Sequence, residues 1–132
     1  MADKKVILTI DDDTMVLRVI TTLLSSTFDL RIAKSAADAL YILAQLTPDL
    51  ILLDIEMPDI SGFEFLHTIK KNPKFMATPV VIVSGHSEKE FAEHAEKMGA
   101  SCLVPKPIDK DVLREKINYA LENPKKSIMN LL

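Results

Sequence analysis

Short runs of apolar residues alternate along the chain with segments in which apolar residues recur every three or four positions. The short runs predict buried strands, and the wider spacing predicts amphipathic helices. Five strands and five helices follow one another in strict alternation. The predicted strands cover residues 6–10, 30–33, 49–54, 79–84 and 101–104. The predicted helices cover residues 14–26, 35–46, 63–70, 87–98 and 109–121.

Polar residues at the helix ends strengthen these assignments. Ser35 and Ser87 are predicted N-caps, and Asp13 is placed to cap the first helix and to oppose its dipole. Gly99 follows the fourth helix as its expected C′ residue. The first helix has the apolar residues Met15, Val16, Val19, Ile20, Leu23 and Leu24 at helical spacing. The second helix has Ala36, Ala39, Leu40 and Leu43 on one face.

Strict alternation of strands and helices predicts an α/β fold with helices on both faces of a parallel sheet. The third strand lies in the run DLILLD, whose unbroken apolar centre indicates burial on both faces. The chain has 132 residues, which suits one domain. We therefore expect a (βα)5 flavodoxin-like three-layer sandwich with strand order 2-1-3-4-5. Residues 1–123 should form this domain, and residues 124–132 should form a C-terminal tail.

Composition narrows the classes of function. The formal net charge is −3, which gives no electrostatic reason to expect nucleic-acid binding. Cys102 is the only cysteine, so an intramolecular disulfide is impossible, and we expect a small core residue there. The first apolar run is too short for a signal peptide or a membrane span. We therefore expect a cytoplasmic protein that has no membrane partner.

Charged and hydroxyl side chains collect where the predicted strands end. Residues 11–13 are three aspartates after the first strand, Asp54 ends the third, Ser84 ends the fourth and Lys106 follows the fifth. Ligands of such sheets bind beyond the carboxyl ends of the strands. Clustered carboxylates favour a hard cation such as Mg²⁺, and a carboxylate can attack phosphorus. A lysine and a hydroxyl can stabilise phosphoryl charge, so the set suits phosphoryl transfer to a carboxylate.

The sequence resembles the receiver domains of two-component response regulators, the CheY-like superfamily. Its acidic pair, its D-x-x-M-P-x-x-x-G segment and its Lys-Pro pair are together highly specific for that family. The resemblance covers about the whole chain, and its segments occur in the expected order. The matching segments are ILTIDDD (7–13), LILLDIEMPDISGFEFL (50–66), PVVIVSG (79–85) and GASCLVPKP (99–107).

The resemblance implies a role for each of the acidic residues. Asp54 would be the phosphoacceptor. Asp11 and Asp12 would form the acidic pair that holds Mg²⁺ or Mn²⁺, with Asp12 and Asp54 as direct ligands. The backbone carbonyl of Glu56 would complete the protein ligands.

The resemblance also assigns the remaining polar residues. Ser84 matches the switch residue of the family, and Lys106 matches its lysine. The Lys106–Pro107 peptide is expected to be cis, an option that proline makes accessible. Leu103 departs from the pattern, because many receivers have a tyrosine or phenylalanine at this position. The usual aromatic rotamer switch is therefore absent.

The implied function is a phosphorelay receiver that accepts a phosphoryl group from a histidine kinase or a histidine phosphotransfer protein. Such a receiver catalyses only its own phosphorylation and dephosphorylation, so we expect no enzyme activity on other substrates. An output protein would bind the face formed by the fourth helix, fifth strand and fifth helix. The protein would be a monomer or a phosphorylation-dependent dimer. We expect a stand-alone receiver, because no output domain follows Asn123.

Two other functions are consistent with parts of the pattern. A pseudo-receiver would keep the fold and bind a partner without being phosphorylated. A haloacid-dehalogenase-like phosphatase needs D-x-D-x-T or V. Asp11 and Asp13 fit that motif, but Met15 occupies its last position. His86 could approach the site entrance, although an exposed loop histidine is the simpler interpretation.

Overall fold

The computed structural model describes residues 3–58 and 60–123, and the predicted tail at 124–132 lies outside them. Five parallel strands form one sheet in the order β2-β1-β3-β4-β5, which confirms the predicted flavodoxin-like topology. The strands are β1 (Val6–Ile10), β2 (Asp29–Ala33), β3 (Leu50–Asp54), β4 (Val80–Ser84) and β5 (Cys102–Pro105). The helices are α1 (Thr14–Leu24), α2 (Ala36–Leu43), α3 (Gly62–Lys71), α4 (Lys89–Lys97) and α5 (Lys110–Glu122).

Helices cover both faces of the sheet, because neighbouring residues of a strand point to opposite sides. On one side, Leu53 and Ile82 pack in a cluster with residues of α2, α3 and α4. On the other side, Leu52 and Val81 pack in a cluster with residues of α1 and α5. All residues of β3 and β4 are buried, as the unbroken apolar runs predicted. The result is the predicted three-layer sandwich.

The strand register brings the strand ends to one edge of the sheet. Ile10 lies beside Leu53 in the β1–β3 pair. Asp54 lies beside Val83 in the next pair, and Ser84 lies beside Pro105 in the last. Because all the strands are parallel, the residues that follow them emerge at the same edge. The sheet therefore gathers the predicted site residues.

Helix capping agrees with the sequence at most positions. Asp13 accepts hydrogen bonds from the first turn of α1, and Ser35 accepts one from the first turn of α2. Gly99 follows α4 with a φ of 111°, a left-handed conformation that glycine adopts without strain. The prediction for Ser87 is wrong. Glu88 is the N-cap of α4, and its ψ of 148° is not helical, so Ser87 lies outside the helix.

Some apolar residues of α1 and α2 face solvent. The buried residues of α1 are Leu17, Ile20 and Leu24. Met15 is 67% exposed and Val19 is 43% exposed, because the helix turns a second apolar stripe away from the sheet. Leu40 of α2 is also exposed, although its sequence spacing placed it with the buried face.

The structure also bears on the predictions for Cys102 and for membrane spans. Cys102 is buried at the start of β5, which confirms its prediction as a core residue. Within residues 3–58 and 60–123, each helix is too short or too polar to cross a membrane.

Gly62 begins α3 in close contact with the turn that follows β3. A Cβ atom at this position would lie 2.5 Å from the Ile55 Cα atom and 2.9 Å from the Ile55 carbonyl oxygen. Both atoms belong to the backbone, so they cannot move aside as a flexible side chain could. The absence of a side chain at Gly62 thus sets the path of the loop that follows Asp54.

The Gly62→Ala substitution should lower the free energy of unfolding by about 1–3 kcal/mol, the usual cost of overpacking. Alanine is the better helix former, so the loss would come from the clash with Ile55 rather than from helix propensity. Urea denaturation of both proteins measures the difference. The matched control is Gly85→Ala, whose Cβ would meet only the Glu56 carboxylate at 3.7 Å. That control should stay within about 0.5 kcal/mol of the wild type, and equal losses in the two variants would contradict the clash.

Candidate functional site

Three aspartates meet at the carboxyl edge of the sheet. Asp11 follows β1 and is 1% exposed, and Asp54 ends β3 and is 3% exposed. Asp12 is exposed beside them. One carboxylate oxygen from each of the three residues lies within 4.8 Å of the other two. The structure therefore brings the predicted acidic residues together.

Backbone amides orient two of these carboxylates. The Asp13 N–H donates to Asp11 Oδ1 at 2.8 Å, and the Glu56 N–H donates to Asp54 Oδ1 at 3.1 Å. Asp11 Oδ2 is buried, and no described residue donates a hydrogen bond to it. A buried carboxylate oxygen that accepts no hydrogen bond needs a positive charge nearby. The oxygen-only donor set fits a hard divalent cation such as Mg²⁺.

Burial and mutual repulsion change the acidity of the site. Burial raises the pKa of Asp11 to about 6, against the hydrogen bond from Asp13, and the nearby Asp54 charge adds to the rise. Partial burial alone would lower the pKa of Lys106, but the Asp11 and Asp54 carboxylates together raise it. The ammonium group therefore stays charged at neutral pH.

Lys106, in the loop after β5, supplies the positive charge that the buried Asp11 and Asp54 carboxylates need. Its Nζ atom lies 3.2 Å from Asp54 Oδ1 and 3.8 Å from Asp11 Oδ2. The backbone N–H of Lys106 donates to the Ser84 carbonyl oxygen at 2.8 Å, so the end of β4 holds the lysine in place. The Lys106–Pro107 peptide is cis, as the resemblance implied.

Ser84 lies at the same edge, and within the described residues its side-chain hydrogen bonds go to Glu56 and His86 rather than to the aspartates. The residue is fully buried, and its Oγ donates to Glu56 Oε1 at 3.1 Å. Oγ also accepts a hydrogen bond from the His86 N–H at 2.9 Å. The contact between the Glu56 side chain and Ser84 was not predicted from the sequence. The sequence contained no signal for this contact, because Glu56 lies in the loop after β3 and Ser84 ends β4, 28 residues further along the chain.

His86 and Asp13 lie beside the site rather than within it. The His86 side chain is 63% exposed, with Nε2 3.7 Å from Glu56 Oε1. It is thus an exposed loop histidine that reaches the site entrance through Glu56. Asp13 Oδ1 accepts from the Met15 N–H at 2.9 Å and so serves the α1 cap. That contact leaves Asp13 unsuited to the acid–base role that a D-x-D phosphatase motif would require.

Comparison with known sequences identifies a family. Residues 7–118 match the response regulator receiver domain. The regulatory protein AtoC of Escherichia coli is 33% identical over 128 residues, which span 95% of this chain and 27% of that protein. A protein-glutamate methylesterase/protein-glutamine glutaminase of Myxococcus xanthus is 35% identical over 112 residues, which span 81% of this chain and 32% of that protein. The chain thus spans about a quarter to a third of the length of these relatives.

Comparison with solved structures gives the same result. The CheY-like receiver domain protein of Methanospirillum hungatei superposes with a TM-score of 0.82 at 29% identity, over 94% of this chain and 98% of that one. A Francisella response regulator receiver domain superposes with a TM-score of 0.81 at 26% identity, over 89% of this chain and 97% of that one. Fold, site geometry and sequence agree, and the chain belongs to the response regulator receiver domain family.

Proposed function

We propose that this receiver accepts a phosphoryl group on Asp54 and passes the signal to a partner protein in a two-component phosphorelay. The observation that carries the proposal is the position of Lys106 Nζ, 3.2 Å from the buried Asp54 carboxylate. Asp11 and Asp12 each place one carboxylate oxygen within 4.8 Å of an oxygen of the same carboxylate. Acceptor, cation site and ammonium group are therefore together at one edge of the sheet.

Mg²⁺, or Mn²⁺ in its place, is the cofactor that we propose for this site. The Asp11, Asp12 and Asp54 carboxylates and the Glu56 carbonyl would hold it. When bound, the ion neutralises negative charge on the incoming phosphoryl oxygens. Asp11 Oδ2 supports this assignment, because it is buried without a hydrogen-bond donor among the described residues and lies 3.8 Å from the Lys106 ammonium.

Three residues have different roles in phosphoryl transfer. An Asp54 oxygen attacks the phosphorus of a phosphohistidine, while the phosphorus–nitrogen bond breaks and its electron pair stays on the imidazole. Lys106 stabilises the charge that the phosphoryl oxygens carry. Ser84 would donate its hydroxyl hydrogen to one of those oxygens once transfer is complete. Its backbone position at the end of β4, beside Pro105, places it at the same edge.

The proposed partners follow from the family. A histidine kinase or histidine phosphotransfer protein would donate the phosphoryl group, and an output protein would bind the face of α4, β5 and α5. Phosphorylation would leave the protein a monomer or drive a dimer. We infer that residues 1–123 are the receiver unit. Receivers are in general switches rather than enzymes, and the relative named as a methylesterase aligns over only 32% of its own length.

Neither alternative function has comparable support. The phosphatase hypothesis requires Asp13 to act on the substrate, but the Asp13 carboxylate caps α1. A pseudo-receiver would not need a buried acceptor beside an ammonium group and two further carboxylates, because that arrangement is costly for a purely structural role.

Incubation with Mg²⁺ and acetyl phosphate should add one phosphoryl group to the wild type and none to Asp54→Asn. The amide is a weak nucleophile, so the substitution removes the acceptor with little change in shape. Intact mass spectrometry measures the adduct, and the Asp38→Asn variant is the control for an exposed aspartate outside the site. A Mg²⁺-independent adduct, or one that persists in Asp54→Asn, would contradict the proposal. If acetyl phosphate gives no adduct, beryllofluoride binding decides, and its absence would favour the pseudo-receiver.

The Asp11→Asn substitution should raise the free energy of unfolding by about 1–3 kcal/mol in the absence of metal, because it removes a buried charge whose pKa is raised to about 6. Asparagine retains an Oδ1 acceptor for the Asp13 N–H. Mg²⁺ at ten times its dissociation constant should stabilise the wild type by about 1.4 kcal/mol and the variant much less. Denaturant titrations with and without Mg²⁺ measure both effects. Equal Mg²⁺ stabilisation of the two proteins would place the cation elsewhere.

A further inference from the structure

The Glu56 side chain bridges the two loops that border the site. It leaves the loop after β3, and its Oε1 atom lies 3.1 Å from Ser84 Oγ. The same oxygen lies 3.7 Å from His86 Nε2 and 3.7 Å from the position of a Cβ at Gly85. The carboxylate therefore lies across the first residues of the loop that leads into α4.

Ser84 has only one hydrogen to donate. Its hydroxyl can accept hydrogen bonds through two lone pairs, but it has a single O–H. One lone pair accepts the His86 N–H, and the O–H points to Glu56. A phosphoryl group on Asp54 would offer a second acceptor for the same hydrogen. Donation to one acceptor excludes donation to the other.

We propose that the Glu56 carboxylate is a positioning residue that holds the Ser84 hydroxyl in its resting orientation, and that phosphorylation must displace it. This inference rests on the proposed function of Asp54. Glu56 is suited to release, because its side chain is 42% exposed and can move into solvent. An ionised carboxylate only accepts hydrogen bonds, so the contact depends wholly on donation by Ser84.

Release of Ser84 would be transmitted to the loop before α4. The His86 N–H is bound to the same hydroxyl, so rotation of Ser84 breaks or redirects that bond as well. The exposed segment from Gly85 to Glu88 connects this point to the start of α4. Glu56 thus opposes the signalling state by stabilising one orientation of one hydroxyl.

Affinity for beryllofluoride in saturating Mg²⁺, measured by fluorescence or calorimetry, tests the competition. Glu56→Ala should bind this phosphoryl analogue about tenfold more tightly than the wild type, since Ser84 no longer loses a hydrogen bond to a charged acceptor. Glu56→Gln, which keeps an Oε1 acceptor, should stay closer to the wild type than to Glu56→Ala. The matched control is Glu88→Ala, which removes a carboxylate from the segment before α4 without touching Ser84 and should change affinity less than twofold.

The Ser84→Ala background separates the hydrogen bond from simple charge repulsion. If Glu56 acts through Ser84, then adding Glu56→Ala to Ser84→Ala should change affinity less than twofold. Equal tightening in both backgrounds, or tightening by Glu56→Gln equal to that by Glu56→Ala, would overturn the proposal in favour of charge repulsion. If the wild type binds no analogue at all, the proposed function fails first, which is a distinct result.

Amide hydrogen exchange at His86 tests the resting contact without any phosphoryl analogue. The Ser84 hydroxyl protects the His86 N–H in the resting protein. Glu56→Ala should free the hydroxyl to rotate and accelerate His86 exchange severalfold, whereas Glu56→Gln and Glu88→Ala should leave it near the wild-type rate. An unchanged rate in Glu56→Ala would overturn the positioning role, whatever the outcome for phosphorylation.

Discussion

The carboxylates of Asp11 and Asp54 are almost completely buried at one edge of an apolar sheet. Two like charges at this depth repel each other and lose hydration, so their environment must compensate them. Lys106 does so in part, from 3.2 Å and 3.8 Å. The backbone amides of Asp13 and Glu56 contribute one hydrogen bond each. The oxygen that still lacks a donor marks the place where the site can gain most from a cation.

The parallel sheet makes this concentration of charge possible. The apolar side chains of β1, β3 and β4 fill both faces, and polar residues begin only where the strands end. Because the strands run in one direction, those polar residues emerge together without any long connecting loop. Gly62 then allows the chain after Asp54 to turn tightly against Ile55. The same packing that stabilises the fold therefore assembles the site.

Ser84, at the end of β4, connects two loops that border the site. The Ser84 hydroxyl donates to Glu56 and accepts from the His86 N–H, so one buried hydroxyl joins the loop after β3 to the segment before α4. Leu103 occupies the position at which many receivers have an aromatic residue, and it packs half-buried against the core cluster. A leucine has no ring to rotate between solvent and core. In this chain, the side-chain contacts of Ser84 join the site to the segment before α4.

The sequence by itself determined the five strands and five helices and their alternation, because apolar periodicity reports burial directly. Alternation in a single domain favoured the order 2-1-3-4-5, and the structure confirms it. It also identified the acidic and basic residues at the strand ends. It did not determine which apolar stripe of α1 faces the sheet, and Met15 and Val19 proved to be exposed. Nor did it reveal that the Glu56 side chain holds Ser84, or that Glu88 rather than Ser87 precedes α4. The exposed face of α1 and the Glu56–Ser84 contact depend on packing between segments distant in sequence, which only the tertiary structure brings together, and the start of α4 depends on the backbone conformation at Glu88.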